Sequence, residues 1–258
     1  MGPRYCVPAI AAVVFAACSS VPPAKKEAVA AAPPSYFKVD PATAGAVTGK
    51  VTFHGKAPAA KRIDMDEDRQ CAAIHKGHPV LDQSIAASRD GSLANVFIYV
   101  KQGLDGKKFE PPAQPAVIDQ KGCWFQPRVL GIETGQTLNV TNSDPVTHNI
   151  HPRPHVNREW NQSQDPGSDP LVRRFVAPEI MIRVKCNIHS WMHAWIGVVD
   201  NPYFAVTGKD GAFELNNLPP GNYTIEAWQE ELGTQDQQVT VTPQGKAEIA
   251  FAFQGEAK

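Results

Sequence analysis

The chain has 258 residues and a formal net charge of −1, with 25 Lys and Arg against 26 Asp and Glu. The two signs are intermixed and no basic block occurs, which argues against a nucleic-acid surface. The 23 prolines and 19 glycines cut the sequence into short apolar segments, so an all-β chain is expected, long enough for two ordinary domains.

The N-terminus reads as an export signal. Arg4 precedes an apolar run, Cys6 to Ala17, that is too short to cross a bilayer. The run ends Phe15-Ala16-Ala17-Cys18, which resembles a lipoprotein signal, although Phe15 stands where an aliphatic residue is usual. The resemblance implies a signal over residues 1–17, lipidation of Cys18 and attachment to a membrane. With Ser19 next, the expected location is the cell envelope, on the periplasmic face of the outer membrane or the cell surface. Residues 18–45 are expected to be a disordered tether. Ser19 to Pro34 is rich in Ala, Pro and Lys, and Pro22, Pro23, Pro33 and Pro34 oppose an Ala-rich helix.

Residues 46–112 contain two predicted strands, Thr48 to Gly55 and, after the turn at Asp90-Gly91, Ala94 to Val100. Between them a charged stretch holds Cys71, His75 and His78. Their spacing lacks a fourth ligand and matches no zinc signature, so a disulfide cysteine beside surface histidines is the reading. After the break at Pro111, Pro112 and Pro115, β alternation runs through Lys121 to Phe125, Gln136 to Thr141, Leu171 to Val176, Ile180 to Cys186 and Ala194 to Val199. Turns at Asp210-Gly211 and Pro219-Pro220-Gly221 then separate strands at Ala212 to Leu215 and Tyr223 to Trp228. Two more follow, near Gln238 to Thr242 and Ala247 to Phe253.

The chemistry concentrates in Lys185 to His193, KCNIHSWMH, which follows the alternating run Ile180, Ile182, Val184. Cys186, His189 and Met192 stand three residues apart, a thiolate, an imidazole and a thioether suited to copper, with His148 the candidate fourth ligand. Of five cysteines, Cys6 leaves with the signal and Cys18 takes lipid. If Cys186 binds metal, Cys71 and Cys123 are left as a pair in an oxidising compartment.

Residues 116–200 resemble a cupredoxin in the order of their motifs: Gly135-Gln136, LNVTN, Asp144, His148-Asn149 and, far downstream, C-x2-H-x2-M. His148-Asn149-Ile150-His151 and the compact loop look most like amicyanin. The resemblance implies a Greek-key sandwich over residues 113–200 and one type 1 copper ion. His148, Cys186 and His189 would surround it, with Met192 axial and Asn149 bracing the ligand loops. His151, His155 and His193 read as surface histidines, and Trp191 and Trp195 as packing around the loop.

Thr207 to Phe253 looks like the second half of a carboxypeptidase regulatory-like, or transthyretin-like, sandwich, by D-G-x-F-x-[LI]-x-x-L-P-P-G-x-Y from Asp210 to Tyr223. Gly49 to Pro58 and Ala94 to Val100 resemble its first half. The cupredoxin is therefore expected as an insertion between residues 46–112 and 201–258, with Cys71–Cys123 joining the two. Bacterial methylamine-utilisation-type and rhamnogalacturonan-lyase-domain lipoproteins are similar in arrangement.

The function these resemblances imply is electron transfer with a redox partner protein. A copper carrier or sensor, and a cell-envelope carbohydrate- or protein-binding module, are the alternatives. An enzyme is not expected, because the chain has neither a His-x-His pair nor a C-x-x-C-H haem motif.

Overall fold

Apolar alternation sets the strands. Along Gly45–His54 the side chains of Val47, Val51 and Phe53 are buried while their neighbours face outward, and Leu138–Asn142 buries every second residue in the same way. The computed structural model describes residues 1–2 and 35–255. The expected signal segment, Cys18 and the tether up to Pro34 lie outside the described residues. Within them, no helix is long and apolar enough to cross a membrane.

Two sandwiches result. In the first, Gly45–His54 is the middle of a three-stranded sheet, antiparallel to Ala212–Leu218 and parallel to Lys246–Gln254. The facing sheet runs in the order Phe204–Val206, Phe97–Gln102, Gly221–Gln229, Gly233–Val241. Val47, Val51, Ile98, Ile225 and Phe251 fill the space between them.

The second sandwich uses only strands between residues 116 and 199. One sheet is Gln162–Gln164, His148–Arg153, Glu179–Lys185, His193–Val199 and Val129–Glu133. The other is Leu171–Arg173, Leu138–Asn142, Ala116–Gln120 and Phe125–Gln126. Each sheet contains one parallel pair, His193–Val199 with Val129–Glu133 and Ala116–Gln120 with Leu138–Asn142, so the chain crosses between sheets instead of folding into hairpins alone. Ile118, Phe125, Val140, Ile150, Ile182 and Ile196 form the core.

The sandwiches meet over a smaller apolar cluster of Phe97, Tyr99, Val129, Met181 and Val199. Gly131 and Gly197 are register partners there. A Cβ on either would lie 2.8 Å from atoms of the Phe97 ring, so only glycine lets the ring seat on the backbone.

Three expectations need correction. The tether stops short of residue 45, because Phe37 finds an apolar partner. Its ring meets Phe109 edge-on at 5.8 Å, its N–H donates to the Lys108 carbonyl at 2.7 Å, and the first strand already begins at Gly45.

Residues 46–112 are not all part of the first sandwich. An excursion carries Ile63, Met65, Cys71 and Val80 onto the core of the second, where Met65 and Cys71 are buried. A six-residue helix, Arg69–Ile74, sits in this excursion and was missed because Cys71 alone among its residues is buried, leaving no apolar period.

The alternation of Ile180, Ile182 and Val184 is also interrupted. A bulge between Glu179 and Ile182, with Met181 at φ +38°, turns Met181 toward the junction and leaves Ile180 exposed.

Candidate metal centre

The ligand loop is closed by its own backbone. At the end of Glu179–Lys185, the Cys186 N–H donates to the Met192 carbonyl and the Met192 N–H donates to the His189 carbonyl, each at 3.1 Å. The thiol sulfur accepts the amides of Ile188 and His189, both at 3.4 Å. Met192 is fully buried beneath the turn. On the neighbouring strand, Asn149 accepts the Asn187 N–H at 2.7 Å and donates to Asn161. The loop is thus fixed from outside as well as from within.

His148, Cys186 and His189 are all buried, and one donor atom from each lies within 4.8 Å of the other two. The two Nδ1 atoms are 3.0 Å apart, and the Cys186 sulfur is 3.8 Å from His189 Nδ1. The outer nitrogens face carboxylates. His148 Nε2 donates to Asp144 Oδ2 at 2.8 Å, and His189 Nε2 lies 3.3 Å from Asp68 Oδ2.

A carboxylate only accepts, so each Nε2 carries a proton and each Nδ1 is the nitrogen turned inward. Two buried lone pairs at that separation repel unless a cation or a shared proton lies between them. The donor set fits a soft or borderline metal ion. Asp144 is itself held by the amides of Gly122 and Cys123, at 2.6 and 2.7 Å.

In the metal-free centre the charges favour that shared proton. Burial opposes a charged His148, but its hydrogen bonds to Asp144 and Cys186 outweigh burial and raise its pKa. Burial holds His189 below the usual histidine range despite the pull of Asp68. Burial alone would raise the Cys186 thiol. Hydrogen bonds from His148 and from the His189 and Ile188 amides reverse this and lower its pKa.

The remaining candidates lie around the centre. Cys71 and Cys123 are disulfide-bonded, and the Cys71 sulfur is 3.9 Å from His189 Nε2. His75 bonds the Gly122 carbonyl at 2.7 Å. His151 is paired with Glu159, and Trp191 donates to the Cys123 carbonyl at 3.1 Å.

His193 is not a simple surface residue. Its Nδ1 donates to the Trp191 carbonyl and its Nε2 accepts from Arg128 at 2.7 Å, inside a network with Glu230 and Trp195 where the sandwiches join. Asp144, four residues before His148 in a turn, had a readable signal. Asp68 had none, since 121 residues separate it from His189.

Residues 197–254 match the sequence model of the carboxypeptidase regulatory-like domain. A search of curated proteins finds no match. Among solved structures, one similar to this chain is a copper-containing nitrite reductase from Thermus scotoductus, with 22% identity and a TM-score of 0.32 over 38% of this chain. The chain spans only 24% of that enzyme. A purple cupredoxin from Nitrosopumilus maritimus is 24% identical over 32% of this chain and 98% of its own, with a TM-score of 0.28. A reduced amicyanin variant is 18% identical over 34% and 86%, with a TM-score of 0.30. By its strand order and ligand motif on one side and the family match on the other, the chain combines a cupredoxin-like β-sandwich with a carboxypeptidase regulatory-like one.

Proposed function

We propose that this chain is an extracytoplasmic, lipid-anchored type 1 copper protein that exchanges electrons with a protein partner and catalyses no bond-making reaction. The observation that carries the reading is the burial of two imidazole Nδ1 atoms and one thiol sulfur around a single point. Copper supplies one-electron chemistry there when bound.

The chain's own residues keep the geometry constant. Asp144 fixes the His148 tautomer, the Ile188 and His189 amides stabilise the thiolate, and Asn149 ties the ligand loop to the adjacent strand. Donors held this firmly have little freedom to rearrange, which lowers the barrier to electron exchange. Met192, buried in the same turn, would be the fourth ligand. Lipidation at Cys18 would hold the folded part at the envelope, on the periplasmic face of the outer membrane or the cell surface.

Protein loaded with Cu(II) should show an intense visible charge-transfer band and a narrow copper hyperfine splitting, both lost in Cys186→Ala. A colourless, tetragonal Cu(II) signal would sink the reading.

A second reading, a copper carrier or sensor, has one observation in its favour. His189 is only 2% exposed and its outer edge meets Asp68 and Cys71, so no bare imidazole faces an incoming partner. Transfer of Cu(I) to an acceptor protein faster than electron exchange would favour it.

A further inference from the structure

One carboxylate at the centre comes from outside the sandwich that carries the ligands. Asp68 lies on the excursion, and its two oxygens are divided between two tasks. Oδ1 accepts the amides of Gln70 and Cys71, at 2.8 and 2.9 Å, and so caps the short helix. Oδ2 faces His189 Nε2 at 3.3 Å.

The helix has little hold of its own, since Cys71 is its one buried residue, and Cys71 is bonded to Cys123. Cys123 in turn donates its amide to Asp144, the carboxylate on the other histidine. The disulfide therefore ties together the backbones that present the two carboxylates.

We propose that Asp68 is a positioning residue of the metal centre, held against His189 by the Cys71–Cys123 disulfide and setting which ring nitrogen faces inward. The inference rests on the copper reading for its purpose, but the tautomer it predicts belongs to the apo protein.

The informative variant is Asp68→Asn. The amide oxygen of the substituted side chain must go on accepting the Gln70 and Cys71 amides, so the cap survives. The NH2 group is then left facing His189 Nε2, which has to become an acceptor. The proton moves to Nδ1, the nitrogen that should bind metal.

The experiment is 15N NMR of the histidines in apo protein, with His189 assigned through His189→Gln, beside titration with Co(II), which thiols do not reduce. Wild type should show His189 protonated on Nε2. Asp68→Asn should show it protonated on Nδ1, with Co(II) affinity weakened by roughly 10–100-fold. Cys71→Ala/Cys123→Ala removes the anchor without adding thiols. It should weaken Co(II) binding more in the Asp68 background than in Asp68→Asn, because the part of its effect that runs through Asp68 is already lost there.

An unchanged His189 tautomer in Asp68→Asn overturns the proposal. So does a cysteine effect of equal size in both backgrounds. If wild type takes up neither Co(II) nor Cu(II), the copper reading fails, and the NMR result still decides the role of Asp68.

Discussion

Gly131 and Gly197 stand opposite each other on neighbouring parallel strands, and the Phe97 ring of the other sandwich rests across both. Adding a methyl at Gly197 would push against that ring and against the Met181 methyl, 2.9 Å away. Gly197→Ala should therefore destabilise the fold by about 1–3 kcal/mol through overpacking. Phe97→Ala should cost about 3–5 kcal/mol by leaving a cavity. Urea unfolding measures both, and a loss of under about 0.5 kcal/mol for Gly197→Ala would show that the junction yields freely.

Arg128 and Glu230 form a buried pair across the same junction, with Nε to Oε1 at 2.7 Å and Trp195 Nε1 donating to Oε2 at 2.8 Å. Burial would raise the Glu230 carboxyl, but the neighbouring His193 and the hydrogen bonds from Arg128 and Trp195 bring it below the usual glutamate range. Glu230→Ala should cost about 3–5 kcal/mol, since it leaves the buried guanidinium with Asp82, 3.9 Å away, as its nearest carboxylate. Replacing both residues, Arg128→Met with Glu230→Leu, should recover most of that loss. If the double variant is no more stable than Glu230→Ala in the same unfolding assay, the buried charge is not the cause.

Glu133 gives a pH dependence with a definite sign. Burial pushes its carboxyl from 4.5 up to about 7. The folded chain then holds a proton that the unfolded chain has released, so stability is full below the unfolded pKa and declines as pH rises through the folded one. At most about 3 kcal/mol is lost across that window, after which the curve is flat. Glu133→Gln should remove the decline and raise stability at neutral pH. Thermal unfolding from pH 4 to 8 would contradict this if the variant kept the wild-type slope.

The Cys71–Cys123 bridge closes a loop with a sequence separation of 52. By loop-closure entropy, Cys71→Ala/Cys123→Ala should destabilise the chain by about 4 kcal/mol, with most of the effect in the unfolded state. Denaturant titration reads the loss directly, and a variant as stable as wild type would mean that the excursion is held by packing alone.

Local pattern was readable and long-range contact was not. The Asp210 to Tyr223 motif and the Cys186, His189, Met192 spacing lie within single turns and strands, so the sequence displays them intact. His148 could be named because its own strand end carries a recognisable His-Asn pair. The excursion was hidden because its apolar anchors, Met65 and Cys71 with Ile63 and Val80 beside them, are scattered among charged residues and show no period. The bulge at Met181 was hidden for the opposite reason, since the apolar run around it looks regular until one residue is inserted into the pairing.

The excursion also bears on how far the two sandwiches are portable units. A copy of residues 113–200 by itself would lack Met65 and Cys71 from its core, leave Cys123 without its disulfide partner and lose the carboxylate beside His189. The remainder, joined across the gap, would keep the excursion with nothing to cover it. Neither sandwich can therefore be excised whole without loss of core, disulfide and carboxylate contacts.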